Sequence, residues 1–174
     1  FSFGWDWALP LPSIGLAGDI WLELDNDCRL TDMSVQPFIS GRVDFFFEVT
    51  GAAKQRGYEI KVRLWGYGND IQQTISRNTH RSYTSLQIEN PELWFPNGYG
   101  KQALYNYCVE LVVDEEIVES HEGKIGLRES RIVENPFTVD AGPGYSFWIE
   151  INGVPVFCKG GNWIPLELWP GTIK

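Results

Sequence analysis

The sequence predicts an all-β chain: an immunoglobulin-like antiparallel β-sandwich of about seven strands, with a segment of a partial domain on either flank. Three observations carry this. Helical periodicity is nearly absent, whereas apolar and polar residues alternate with period two again and again. The strand-like runs between residues 28 and 127 follow one another at roughly 8–12-residue spacing. Both ends differ from this middle, residues 1–19 being rich in aromatic residues, Gly and Pro without alternation.

Taken in order, Ile20-Trp21-Leu22-Glu23-Leu24 reads as a short strand. Thr31, Met33 and Val35 alternate with Asp32 and Ser34. Over residues 42–50, Val43, Phe45, Phe47 and Val49 alternate with Arg42, Asp44 and Glu48. Residues 58–64 form the cleanest half-buried strand, with Tyr58, Ile60, Val62 and Leu64 against Glu59, Lys61 and Arg63. Further strands are expected at 70–76, 83–89, 104–113 and 116–126, with Asp114-Glu115 as the turn between the last two. Burying Phe45, Phe47, Ile60, Val62 and Leu64 would contribute roughly 1.5–3 kcal/mol each before conformational entropy is subtracted. Near the end, Ser146–Ile151 and Val154–Lys159 flank Asn152-Gly153, a type I′ hairpin signal.

Composition narrows the function classes. Hydrophobic residues make up 43% of the 174, enough for a core, so global disorder is excluded. The net charge of −9, without a basic run, argues against nucleic acid. No stretch approaches the ~20 apolar residues of a membrane span. His80 and His121 stand at no ligand spacing from a Cys or another His, so neither a metal site nor any other cofactor is expected. Cys28, Cys108 and Cys158 are odd in number and scattered, and the second strand offers no Cys to pair with Cys108. Free thiols in a reducing, cytoplasmic compartment are therefore expected, with a lysosomal or periplasmic parent as the alternative. The chain starts at Phe1-Ser2-Phe3 without Met or a signal peptide, and reads as an internal stretch of a longer polypeptide. Aromatic residues reach 14%, with 8 Trp, which suits either sugar-facing surfaces or a sandwich core.

The aromatic residues concentrate in one loop, Asn90-Pro91-Glu92-Leu93-Trp94-Phe95-Pro96-Asn97-Gly98-Tyr99-Gly100, followed by Leu104-Tyr105. Rings in such a loop either cap a core or present flat faces to a ligand. The run resembles a signature of the β-mannosidase-like branch of glycoside hydrolase family 2. Two further motifs resemble the same family in the same order. Phe3-Gly4-Trp5-Asp6-Trp7, with Gly18-Asp19-Ile20-Trp21, is similar to the end of the family's jelly-roll sugar-binding domain. Phe147 to Pro165, including Asn152-Gly153 and Lys159-Gly160-Gly161-Asn162-Trp163-Ile164-Pro165, is similar to the start of its catalytic barrel. Ala8-Leu9, Gly161 and Leu166-Glu167 depart from the family pattern, which bears on substrate preference.

The resemblance implies three parts: the tail of a sugar-binding domain at 1–25, an immunoglobulin-like domain at 26–127, and the first hairpin and strand of a (β/α)8 barrel at 128–174. A complete barrel takes about 250 residues. Retaining glycosidases use an acid and a nucleophilic carboxylate roughly 5 Å apart. In this family both are Glu on later barrel strands, and the Asn-Glu acid/base motif is missing from this chain. Catalytic residues are therefore expected to be none, Glu150 and Glu167 standing too early for either role.

What the resemblance does imply is part of a sugar-recognition shell: Trp5, Asp6, Asn162 and Trp163. An ionised carboxylate such as that of Asp6 accepts hydrogen bonds from two vicinal hydroxyls, and an indole packs on sugar C–H groups. The other reading makes Trp5 and Trp7 core plugs, Asp6 a turn cap and Trp163 an ordinary buried residue. Lys159 is expected to pair a buried acid, Trp94 and Tyr99 to pack between domains, and Trp21, Trp65 and Trp148 to be core or interface residues. The implied function is that of a non-catalytic spacer in a retaining exo-glycosidase hydrolysing terminal β-D-mannosides. Its partners would be the remaining domains of the parent chain and, in the parent, a β-linked oligosaccharide. An exo-β-glucosaminidase, a β-galactosidase, or an autonomous carbohydrate-binding module is the alternative.

Overall fold

A computed structural model describes residues 3–6, 9–12, 14–16, 18–22, 28–51, 57–139 and 142–163. It falls into two compact units, Asp25–Cys158 and a second one formed by Phe1–Leu24 with Lys159–Lys174.

Among the described residues the larger unit contains ten strands. They are β1 (Cys28–Pro37), β2 (Arg42–Gly51), β3 (Tyr58–Gly66), β4 (Asn69–Arg77), β5 (Arg81–Gln87), β6 (Tyr105–Val113), β7 (Glu116–Ile125), β8 (Ser130–Val139), β9 (Gly142–Ile151) and β10 (Val154–Val156). The first seven form the immunoglobulin-like sandwich that the alternation predicts. One sheet runs β1-β2-β5 and the other β4-β3-β6-β7, every neighbour antiparallel. β4 pairs with β3 because only Tyr67-Gly68 separates them, both at positive φ (49° and 81°). A two-residue turn of that hand returns the chain directly alongside itself and leaves no length to cross to the opposite sheet.

The core lies between the sheets. Val43, Phe45, Phe47 and Val49 of β2 are buried against Ile60, Val62 and Leu64 of β3 and Tyr105, Val109 and Leu111 of β6. Phe45 meets Tyr107 edge-on with ring centroids 5.8 Å apart. Asp114-Glu115 turns β6 into β7 with φ of 51° and 70°, as expected. None of the three cysteines forms a disulfide: Cys28 is buried in β1, Cys108 lies on β6 with its Sγ 3.6 Å from the Ser120 hydroxyl, and Cys158 is exposed.

The third sheet, β10-β9-β8, is an antiparallel meander. Its β9–β10 turn is the expected Asn152-Gly153, at φ 51° and 76°. The strand β8 was not expected, because Pro136 interrupts it; an edge strand admits a proline, and β8 pairs only with β9. The expected strand at 20–24 is not formed over its described part. Ile20, Trp21 and Leu22 lie in no strand and are exposed, while Glu23 and Leu24 fall outside the described residues. A strand is stable only with a neighbour to share its ladder, and none pairs with these residues among those described. No helix among the described residues is long and apolar enough to cross a membrane.

Candidate functional site

The smaller unit carries all four residues of the expected recognition shell: Trp5 and Asp6 on its N-terminal segment, Asn162 and Trp163 on its C-terminal one. Gly4, at φ 99°, turns the backbone just before Trp5, a conformation that a side chain there would strain. Asp6 follows in a turn and is exposed. Asn162 and Trp163 lie in irregular backbone and are exposed as well. Trp5 is 60% and Trp163 80% accessible, so neither indole is a core residue of this chain. Asp6 and most of the Trp163 indole are thus open to solvent at this end. Trp7 lies outside the described residues. Lys159 is exposed and pairs no acid among the described residues.

The aromatic loop serves packing. Trp94 N–H donates to the Leu127 carbonyl (2.9 Å), Phe95 N–H to the Lys101 carbonyl (2.9 Å), and Tyr99 N–H to the Pro96 carbonyl (3.0 Å). The Arg128 guanidinium lies 4.8 Å from the centre of the Trp94 ring. Gly126 is backed so closely by that side chain that a Cβ would come within 2.8 Å of it. The Tyr99 hydroxyl accepts the Phe157 N–H at 2.8 Å, and the Tyr105 hydroxyl accepts that of Glu92 at 2.8 Å. Both Trp94 and Tyr99 are therefore committed within the larger unit.

The other chemically marked acid is Glu150 on β9. Arg131 of β8 donates its Nε–H to Oε2 at 2.7 Å and its Nη2 lies 2.6 Å from the same oxygen as an ion pair, while Trp148 donates Nε1–H to Oε1 at 3.1 Å. The Trp148 hydrogen bond first, and Arg131 second, hold this carboxyl below its ordinary pKa. An acid kept ionised and saturated with donors is a structural tie and a poor proton donor. Among the described residues, no group of His, Cys, Asp and Glu could hold a metal ion.

With this geometry in place, comparison with known proteins decides the family. The profile of glycosyl hydrolases family 2 matches residues 28–128, the span of the sandwich. The chain belongs to glycosyl hydrolases family 2. Among its family-2 relatives, β-mannosidase B of Aspergillus flavus is 30% identical over 173 residues, covering 96% of this chain and 20% of that protein. The β-mannosidase of Bos taurus is 29% identical over 180 residues, covering 95% and 20%. This family-2 chain thus spans about a fifth of the length of the relatives it matches. In fold it is similar to the exo-chitosanase CsxA of Amycolatopsis orientalis, with a TM-score of 0.56 at 22% identity over 82% of this chain and 17% of that one.

Proposed function

We propose that this chain is the middle portion of a retaining exo-glycosidase that hydrolyses terminal β-D-mannosides. In it the sandwich is a non-catalytic spacer orienting a sugar-binding domain against a catalytic barrel. Trp5, Asp6, Asn162 and Trp163 contribute to the subsite of the terminal sugar: Asp6 accepts hydrogen bonds from paired hydroxyls, Trp5 and Trp163 cover C–H faces, and Asn162 offers an amide. The observation that carries this reading is that the two ends of the chain, one bearing Trp5-Asp6 and the other Asn162-Trp163, fold into a single compact unit. The names of the relatives support the choice of mannoside. A reducing, cytoplasmic setting, expected from the odd and scattered cysteines of the sequence, is part of the same proposal.

Kinetics of the full-length parent test the reading. Asp6→Ala should lower kcat/KM by about 10- to 150-fold on an aryl β-mannoside, the equivalent of a charged hydrogen bond worth roughly 1.5–3 kcal/mol, with an unchanged melting temperature. The 174-residue chain alone should release no aglycone above buffer. Unchanged kinetics in the variant would make Asp6 a turn residue and remove this end of the chain from the site. Faster turnover of an aryl β-glucosaminide than of the mannoside would move the parent to the alternative substrate class.

A further inference from the structure

The outer face of the four-stranded sheet carries a second site. Alternation on β3 sends Ile60, Val62 and Leu64 into the core and therefore Lys61, Arg63 and Trp65 outward. A large indole in the middle of a polar row is out of character for a solvated face, and it is held in place. Arg63 lies 5.0 Å from the centre of the Trp65 ring while its Nε and Nη2 fork onto the two oxygens of Asp70, at 3.0 and 2.8 Å. Asp70 is the register partner of Trp65 on β4. The pair thus braces the indole from one side, limiting the rotamer freedom it would lose on binding a ligand.

Beside it runs a cleft of about 470 Å³, lined by Trp65, Lys61, Gln72 of β4, Glu110 of β6 and Glu122 of β7 among others. That volume lies within the ~300–1,000 Å³ of small-molecule sites. The side chains of Lys61, Gln72, Glu110 and Glu122 make no hydrogen bond or ion pair with any described residue, so their polar ends are unspent. Cations and anions are interleaved here: Lys61 and Arg63 stand among Asp70, Glu110 and Glu122. An anion would meet the carboxylates and a cation would meet the ammonium and guanidinium. The ligand that suits this lining is neutral, offers many groups that both donate and accept, and has an apolar face for the indole. A sugar chain has all three properties, and a cleft open along the sheet fits an extended oligosaccharide better than one enclosed ring.

We infer that the outer face of sheet β4-β3-β6-β7 binds a neutral β-linked oligosaccharide, with Trp65 as platform and Glu110 and Glu122 as hydroxyl acceptors. The site uses none of the four residues proposed for the terminal-sugar subsite; only the choice of a mannan chain rests on that functional reading.

Isothermal titration of the 174-residue chain with β-1,4-mannohexaose and with cellohexaose tests it. Mannohexaose should bind, Trp65→Ala should weaken binding about tenfold or more, the double variant Glu110→Gln/Glu122→Gln about fivefold or more, and Tyr83→Ala, at an exposed position of the other sheet, should leave it unchanged. If Trp65→Ala fails to fold, the double variant decides, since Glu122 is exposed and neither glutamate has a partner to lose. Trp65-dependent binding of cellohexaose alone would uphold the site while counting against the mannoside reading of the parent. No heat with either hexaose at about 1 mM, or binding lost in Asp6→Ala and kept in Trp65→Ala, would overturn the proposal.

Discussion

The side-chain amide of Asn152 donates to the main-chain carbonyl of Trp94 at 3.0 Å, tying the β9–β10 turn to the aromatic loop of the sandwich. The same side chain accepts the Glu129 N–H through Oδ1 at 2.9 Å, and its own N–H donates back to the Glu129 carbonyl at 2.9 Å. Asn152 sits at φ 51°, where asparagine is tolerated and branched residues are not. One residue therefore shapes the hairpin and fastens the third sheet.

Replacing Asn152 separates these tasks. Asn152→Gly keeps the turn and loses both side-chain bonds, at an expected cost of about 1–3 kcal/mol. Asn152→Val adds the strain of a β-branched residue at positive φ and should cost about 1–2 kcal/mol more. Urea unfolding midpoints measure the difference; equal midpoints for the wild type and Asn152→Gly would show that the clamp contributes nothing.

The run Phe45-Phe46-Phe47 gives an internal control for the sandwich. Phe45 is fully buried, while Phe46 points outward beside Tyr83 with ring centroids 6.2 Å apart. Phe45→Ala should cost about 3–5 kcal/mol. Phe46→Ala should cost no more than about 1 kcal/mol, the worth of a cross-strand aromatic pair. Comparable losses would mean that the register of β2 is shifted by one residue.

Gly41 and Gly68 share a positive φ but differ in their surroundings. A Cβ at Gly41 would lie 2.3 Å from the Ile88 carbonyl oxygen, and Ile88 is held there by its own N–H, which donates to the Gly41 carbonyl at 2.9 Å. A Cβ at Gly68 would meet nothing within 4 Å. Gly68→Ala should therefore cost about 1–2 kcal/mol of backbone strain, and Gly41→Ala clearly more, read as the difference between the two thermal midpoints.

Glu150 gives a pH signature. Its carboxyl titrates below the ordinary 4.5 in the folded chain. The unfolded chain therefore takes up the proton first as pH falls, so this contribution to stability is present above about pH 4.5 and is lost below it, through the folded-state pKa. Glu150→Gln should melt lower than wild type near neutral pH, and the gap should narrow below about pH 4.5. A gap that stays constant from pH 7 to 3 would show that the ion pair with Arg131 is not responsible.

Much of this fold is legible in the sequence for a simple reason. Strands facing a core on one side only must alternate, and Tyr58 to Leu64 do so without interruption while Val43 to Val49 do so with the one exception of the outward Phe46. Turns such as Asp114-Glu115 and Asn152-Gly153 are legible because few residues tolerate positive φ. β8 is not legible, since Pro136 is compatible with a strand only at an edge, and edge position depends on the whole sheet. The outward position of Trp65 follows from the parity of β3, yet its bracing by Asp70 depends on pairing with β4. The grouping of Trp5-Asp6 with Asn162-Trp163 has no local signal at all: those pairs stand near opposite ends of the chain, and only the resemblance to a family joins them.

That grouping has a kinetic consequence. The smaller unit is built from both ends, so it closes a loop that contains every strand of the sandwich. While the intervening chain is unfolded, bringing the ends together carries a loop-closure penalty that grows with loop length, and contacts of such high sequence separation form slowly. Collapse of the sandwich removes most of that freedom in advance. Assembly is thus ordered, the strands condensing first and the ends docking last. The last-formed contacts are also the first to open, so hydrogen exchange should be faster among the described residues of the smaller unit than in the strands of the sandwich.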